Sequence, residues 1–155
     1  MAGLIDAKLA QLRITLPEPM APVASYIPYR IAGNLAWISG QGPVENGAMM
    51  CVGLVGSVVG LEAAIAAARL TGLNLLSQLR VALDGDLDRV SRVVKLGGFV
   101  QCTPDFIDHP KVINGASDLM VEIFGEAGKH ARFAVGAQSL PMNTSVEIDG
   151  IFEIR

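Results

Sequence analysis

The chain has 155 residues, with 12 Lys and Arg against 15 Asp and Glu. Its net charge of −3 and its lack of any basic run exclude the electrostatic footprint of a nucleic-acid binder. Apolar residues make up 51% and charged residues 17%, a balance that calls for a membrane or for apolar surface hidden against further copies of the chain. The longest apolar stretch, from Ala48 to Leu61, stops at Glu62 and is too short for a spanning helix of ~20 residues. Self-association is therefore expected, and no membrane contact.

Leu4, Ile5, Leu9 and Leu12 recur at helical spacing, which predicts a short amphipathic helix over residues 3–13. Asp6 and Lys8 interrupt its apolar pattern, so the segment does not read as a signal peptide, and a cytoplasmic protein is expected. The three prolines of Leu16–Pro22 make an extended linker. Residues 1–24 are thus an N-terminal helix and linker on a single domain spanning 1–155. Asn34–Ser39 forms a compact strand that starts at a Gly-Asn turn and ends at Gly40-Gln41-Gly42-Pro43, and Glu45–Gly56 a glycine-punctuated loop with a short strand.

A long helix is predicted from about Ser57 to Leu83, with Leu61, Ile65, Ala68, Leu75 or Leu76, and Leu79 on one face. Asp84-Gly85-Asp86 closes it. Val90–Cys102 reads as a strand. Asp108 is placed as the cap of a second helix, with Pro110 in its first turn, Ile113, Ala116, Met120 and Phe124 on one face and Gly125 at its end. Cys51 and Cys102 stand in no metal-binding or CxxC spacing and are expected to be free, buried thiols. Two histidines, His109 and His130, are too few for a dedicated metal site.

The chain ends in two strands around Leu140-Pro141, the first carrying Arg132 and the second Glu147. If they pair directly, cation and carboxylate meet across a ladder. The guanidinium fork would grip a ligand carboxylate and the Glu would handle water or protons. In the last strand Val146, Ile148, Phe152 and Ile154 point one way, and Glu147, Asp149 and Glu153 the other. Glu147 then lies away from the helices, either in solvent or at an interface between subunits. The element order gives an α+β sandwich with both long helices on one face of a sheet.

Four segments together resemble the Rid family, the reactive-intermediate deaminases also called YjgF. They are Gly33-Asn34 with Ile38-Ser39-Gly40-Gln41; Arg89–Val100 with Lys95 after two valines; Val112-Ile113-Asn114 through Phe124; and Ala131-Arg132 with Leu140-Pro141 and Val146-Glu147-Ile148. The resemblance covers almost the whole chain after the N-terminal helix. It implies a chorismate-mutase-like α+β fold assembled as a homotrimer with sites between subunits. It also implies hydrolysis of enamines and imines such as 2-aminoacrylate to a 2-keto acid and ammonium, without a cofactor or metal.

By that resemblance Arg132 is the carboxylate-binding arginine and Glu147 the residue that activates water and moves protons. Tyr26 walls the pocket, Ser39 and Gly40 bring backbone to the substrate, and Asn114 stands at the site, with one extra residue separating it from Arg132. The chain departs from many relatives at Ala134, where they carry a cysteine. His130 is expected as a solvated loop residue or at the rim of the pocket. Other readings are a non-catalytic trimer that binds small carboxylates or acts as a holdase, chorismate mutase chemistry, which needs more cations than Arg132, and an endoribonuclease, which the acidic charge disfavours.

Overall fold

The computed structural model describes residues 3–155. In chain order the elements are α1 (Leu4–Gln11), β1 (Tyr29–Ala32), β2 (Leu35–Gln41), β3 (Val44–Glu45), β4 (Ala48–Met49), α2 (Leu61–Ala82), β5 (Val90–Gln101), α3 (His109–Phe124), β6 (Ala131–Ala137) and β7 (Val146–Ile154). The α+β architecture is as expected: a five-stranded mixed sheet in the order β1-β2-β7-β5-β6, with α2 and α3 packed against it. Leu96 and Val100 of β5, Val146, Ile148 and Phe152 of β7, and Ala36 and Ile38 of β2 are buried. They join Leu75, Leu76 and Leu79 of α2 and Ile113, Ala116 and Met120 of α3 in one apolar cluster.

The two helices approach closely because Gly72 and Gly115 leave room. A Cβ at Gly72 would stand 2.9 Å from Leu119, and one at Gly115 would strike the backbone carbonyl of Ile65. α2 begins at Leu61 rather than Ser57, since Gly53 (φ +106°) and Gly56 (φ +91°) hold the preceding residues in a tight turn. That turn closes through bonds from Val59 N to Leu54 O and from Gly56 N to Val59 O. Asp108 does occupy the N-cap of α3, but its side chain makes no capping bond. It pairs instead with Lys111 Nζ at 3.1 Å, while the Asp108 carbonyl takes the amides of Lys111 and Val112.

The direct pairing expected of the last two strands does not occur. β6 pairs in parallel with β5, and β7 lies between β2 and β5, antiparallel to both. A hairpin would have left the hydrophobic face of β7 at a sheet edge; in its central position Ile148 and Phe152 are fully buried. The Pro141–Asn143 turn starts a crossover that carries the chain past β5. The face without helices keeps Trp37 (48% exposed), Phe99 and Val135 open.

The N-terminal segment is tied down by polar contacts. The Asp88 carboxylate accepts the Leu4 and Ile5 amides at 2.7 Å each, and Asp6 pairs with Arg80. Buried Ser77 and Gln78 of α2 donate to the carbonyls of Pro17 and Met20, 2.7 Å each, and so hold the proline linker along the helix.

Candidate functional site

Four of the six residues singled out from the sequence line one cleft of about 600 Å³: Tyr26, Ser39, Gly40 and Glu147, with Met49 and Met142 opposite. The register between β2 and β7 shifts between Ile38 and Gln41, and this bulge turns Ser39 and Gly40 out of the ladder toward the cleft. Ser39 is fixed there by its Oγ donating to Ile27 O at 2.7 Å and its amide donating to Pro28 O at 2.9 Å. The same bonds anchor the end of the linker that carries Tyr26. Gly40 is required for space: a Cβ on it would lie 2.5 Å from Glu147 Oε1.

Glu147 projects from the face of β7 opposite the helices. Among the described residues its carboxylate has no ion-pair partner. Burial pushes its pKa above the ordinary carboxylate value, and the negative charge of Asp149 adds to the shift. A carboxylate raised in this way holds a proton more readily than an exposed one, as a group that accepts and returns a proton requires. The Met142 side of the cleft is held by Gln101, which is buried at the end of β5. Gln101 accepts the Leu140 amide at 2.6 Å and donates to Asn143 Oδ1 at 2.7 Å. Met142 and Asn143 are both in the left-handed region, at φ +55° and +58°.

The remaining two residues, Arg132 and Asn114, form a separate group at the β6 edge. Arg132 stands opposite Leu96, a core residue, so it points to the helix side of the sheet. Its Nη1 donates to Asn114 Oδ1 at 2.8 Å and to Ser117 Oγ at 3.1 Å, both on α3. Both acceptors are neutral, and no carboxylate lies within ion-pair distance of Arg132 among the described residues. The positive charge is thus oriented and left uncompensated.

Ser117 and His130 are functional candidates that the sequence reading missed or placed in solvent. His130 is half-buried. Its Nδ1 bonds Gly128 O at 2.6 Å and its Nε2 bonds Ser117 Oγ at 2.9 Å. Burial, together with the nearby Arg132 charge and against the Gly128 hydrogen bond, lowers the His130 pKa and so favours the neutral imidazole. The chain of donors is then defined: Arg132 to Ser117, Ser117 to His130 Nε2, and His130 Nδ1 to the Gly128 carbonyl. The spacing of Ser117 three residues after Asn114, on one helix face, is the signal that could have found it.

Within one chain Arg132 and Glu147 do not meet. β5 separates their strands, Arg132 being in register with Leu96 and Glu147 with Phe99, and they point to opposite faces. Two strand spacings and three residues of offset put their Cα atoms on the order of 14 Å apart. No cluster of three or more His, Cys, Asp or Glu that could hold a metal is found among the described residues. None of their helices is long and apolar enough to cross a membrane.

Residues 6–153 match the sequence model of the family described as "YjgF/chorismate mutase-like, putative endoribonuclease". The Trypanosoma cruzi protein TCP17 is 42% identical over 155 residues, covering 99% of this chain and 96% of that protein. Among solved structures, a protein of unknown function from Agrobacterium tumefaciens is 48% identical with a TM-score of 0.91, covering 97% of this chain and 92% of its own. A Shewanella oneidensis protein described in the same endoribonuclease wording is 34% identical with a TM-score of 0.94, covering 98% and 100%.

Proposed function

Because the chain belongs to the YjgF/chorismate mutase-like family, we propose that it hydrolyses carboxylate-bearing enamines and imines, such as 2-aminoacrylate by way of its imine tautomer, to a 2-keto acid and ammonium. The site is completed between copies of a homotrimer. The Glu147 cleft of one copy faces the Arg132–Asn114 edge of the next, which resolves the separation of the two groups within one chain. Open Trp37, Phe99 and Val135 on the helix-free face support an assembly that covers them.

The observation that carries the reading is the Glu147 carboxyl, shifted upward and without an ion-pair partner among the described residues, over a cleft walled by Tyr26 and the Ser39–Gly40 bulge. Arg132 holds the substrate carboxylate through the guanidinium nitrogens that Asn114 and Ser117 leave free, and so fixes the imine carbon. Glu147 takes a proton from water as the C–O bond forms, and the electron pair of the C=N bond moves to nitrogen. The protonated Glu147 then gives its proton to that nitrogen. Glu147 next removes the hydroxyl proton as the carbonyl forms and the C–N bond breaks, and the released ammonia takes that proton to become ammonium. An iminium carbon is already electrophilic, so one positioned base and one anchor suffice, with no cofactor.

The test is to generate imines in situ with a pyridoxal-phosphate dehydratase or an amino-acid oxidase, trap them with semicarbazide, and measure how far the protein suppresses the adduct. Suppression across small or aromatic side chains that disappears in Arg132→Ala is the expected result. No suppression by a folded trimer would refute catalysis and leave a small-carboxylate binder. The ribonuclease reading has no comparable support, since the net charge is −3 and no basic run exists.

A further inference from the structure

A second pair of reactive groups sits at the other end of β6. Cys102 follows β5 and is held by its amide donating to Ala137 O at 3.2 Å, and His109 opens α3. The two side chains meet, with Sγ 3.3 Å from the imidazole Nε2. The histidine ring is braced edge-on by Phe106, with centroids 5.4 Å apart. Gly136 lets them meet in the open: a Cβ there would lie 2.8 Å from Nε2 and 3.0 Å from Sγ. The pair lines a cleft of about 580 Å³ that shares no residue with the Glu147 cleft. Leu54, Pro104 and Phe106 give it apolar walls, Thr103 and Gln138 supply polar groups, and no Lys, Arg, Asp or Glu lines it.

We propose that Cys102 and His109 form a second reactive site, in which the thiol adds to uncharged α,β-unsaturated carbonyl compounds. The cleft fits that class because its walls are apolar, it offers no charged group to an ionic ligand, and the Gln138 amide can donate to a carbonyl oxygen. In the step, the Cys102 proton passes to His109 Nε2 as sulfur bonds the β-carbon. The alkene electron pair moves toward the carbonyl, and the α-carbon then takes the proton back from His109. The product is a thioether, with no oxidant or reductant consumed. Burial raises the Cys102 pKa, so the resting thiol is protonated and the addition depends on the imidazole as base. Cys51, the other free cysteine, has no such side-chain partner among the described residues and serves as the internal control.

Treating the folded, assembled protein with limiting N-ethylmaleimide and following each cysteine by peptide mass spectrometry tests this. Cys102 should react before Cys51. His109→Asn should slow Cys102 at least about a hundredfold, the lower reach of a lost general base, and leave Cys51 unchanged. Gly136→Ala, which drives a methyl group between the pair, should slow Cys102 in the same way, and it decides the matter if His109→Asn fails to fold. Cys51 reacting as fast as Cys102, or a Cys102 rate indifferent to the folded variants, would overturn the proposal.

Discussion

Replacing Gly40 by alanine would put a methyl carbon 2.5 Å from Oε1 of Glu147 and 3.1 Å from its carboxyl carbon. The carboxylate must retreat by about 0.9 Å to restore the 3.4 Å at which ordinary contact begins. The obstacle is the far end of a flexible side chain, so rotation of Glu147 relieves it at a cost of about 0.5–1.5 kcal/mol. In a domain of this size that lowers Tm by only a few degrees, about 2–4 °C per kcal/mol. Catalysis is less tolerant: a misplacement of about 1 Å costs on the order of 10²-fold. Thermal melting and semicarbazide competition on the same preparation separate the two effects. Gly40→Ala should melt within a few degrees of the parent while losing most of its suppression of the adduct. Full activity would refute the assignment of Glu147, and a collapse in Tm would show that Gly40 serves packing.

Glu147→Gln should abolish turnover yet melt at or above the parent at neutral pH. The folded-state pKa of Glu147 is raised, so its charged form costs stability above the ordinary value of 4.5, and the advantage of Gln should fade as pH falls below that value. Differential scanning calorimetry across pH checks the sign. Asp88→Ala removes the acceptor of the Leu4 and Ile5 amides and should release α1 while the rest stays folded, read as faster hydrogen exchange over residues 4–11. Those two bonds hold the Asp88 pKa below its ordinary value of 3.8, so the tether should persist down to that pH and fail as pH falls further. Trp37→Lys puts a charge on the open sheet face and should give monomers by light scattering with unchanged far-UV circular dichroism. A trimer that survives it would remove Trp37 from the interface.

The elements of the fold were legible because each carries its own local signal. The period of α3, the alternation of β7 and the glycine stops required no tertiary information. What misled was neighbourhood. Leu140-Pro141 looks like a hairpin turn, and nothing local says that β7 inserts between β2 and β5 while β6 returns parallel to β5. The alternation of β7 placed Glu147 on the right face, but the facing of Arg132 depends on its pairing with Leu96, a contact 36 residues away in sequence. The Cys102–His109 contact was hidden for the same reason. A cysteine outside any motif reads as packing, and only the arrival of α3 brings His109 to its sulfur.

The two halves of the proposed site carry opposite, uncompensated charge, and this has a kinetic consequence. In one copy burial and, next, Asp149 push Glu147 upward, and among the described residues no cation pairs with it. If assembly brings the Arg132 of a neighbouring copy to ~6 Å, an effective dielectric of ~20 gives an attraction of about 3 kcal/mol, which pulls the pKa down again. A bound substrate carboxylate then covers the guanidinium and cancels most of that pull. The acidic limb of kcat, which reports the complex, should therefore lie above the acidic limb of kcat/KM, which reports free enzyme. Coincident limbs would mean that Arg132 and Glu147 do not share a site, and a kcat limb lower than that of kcat/KM would mean that the substrate brings Glu147 a positive charge instead of masking one.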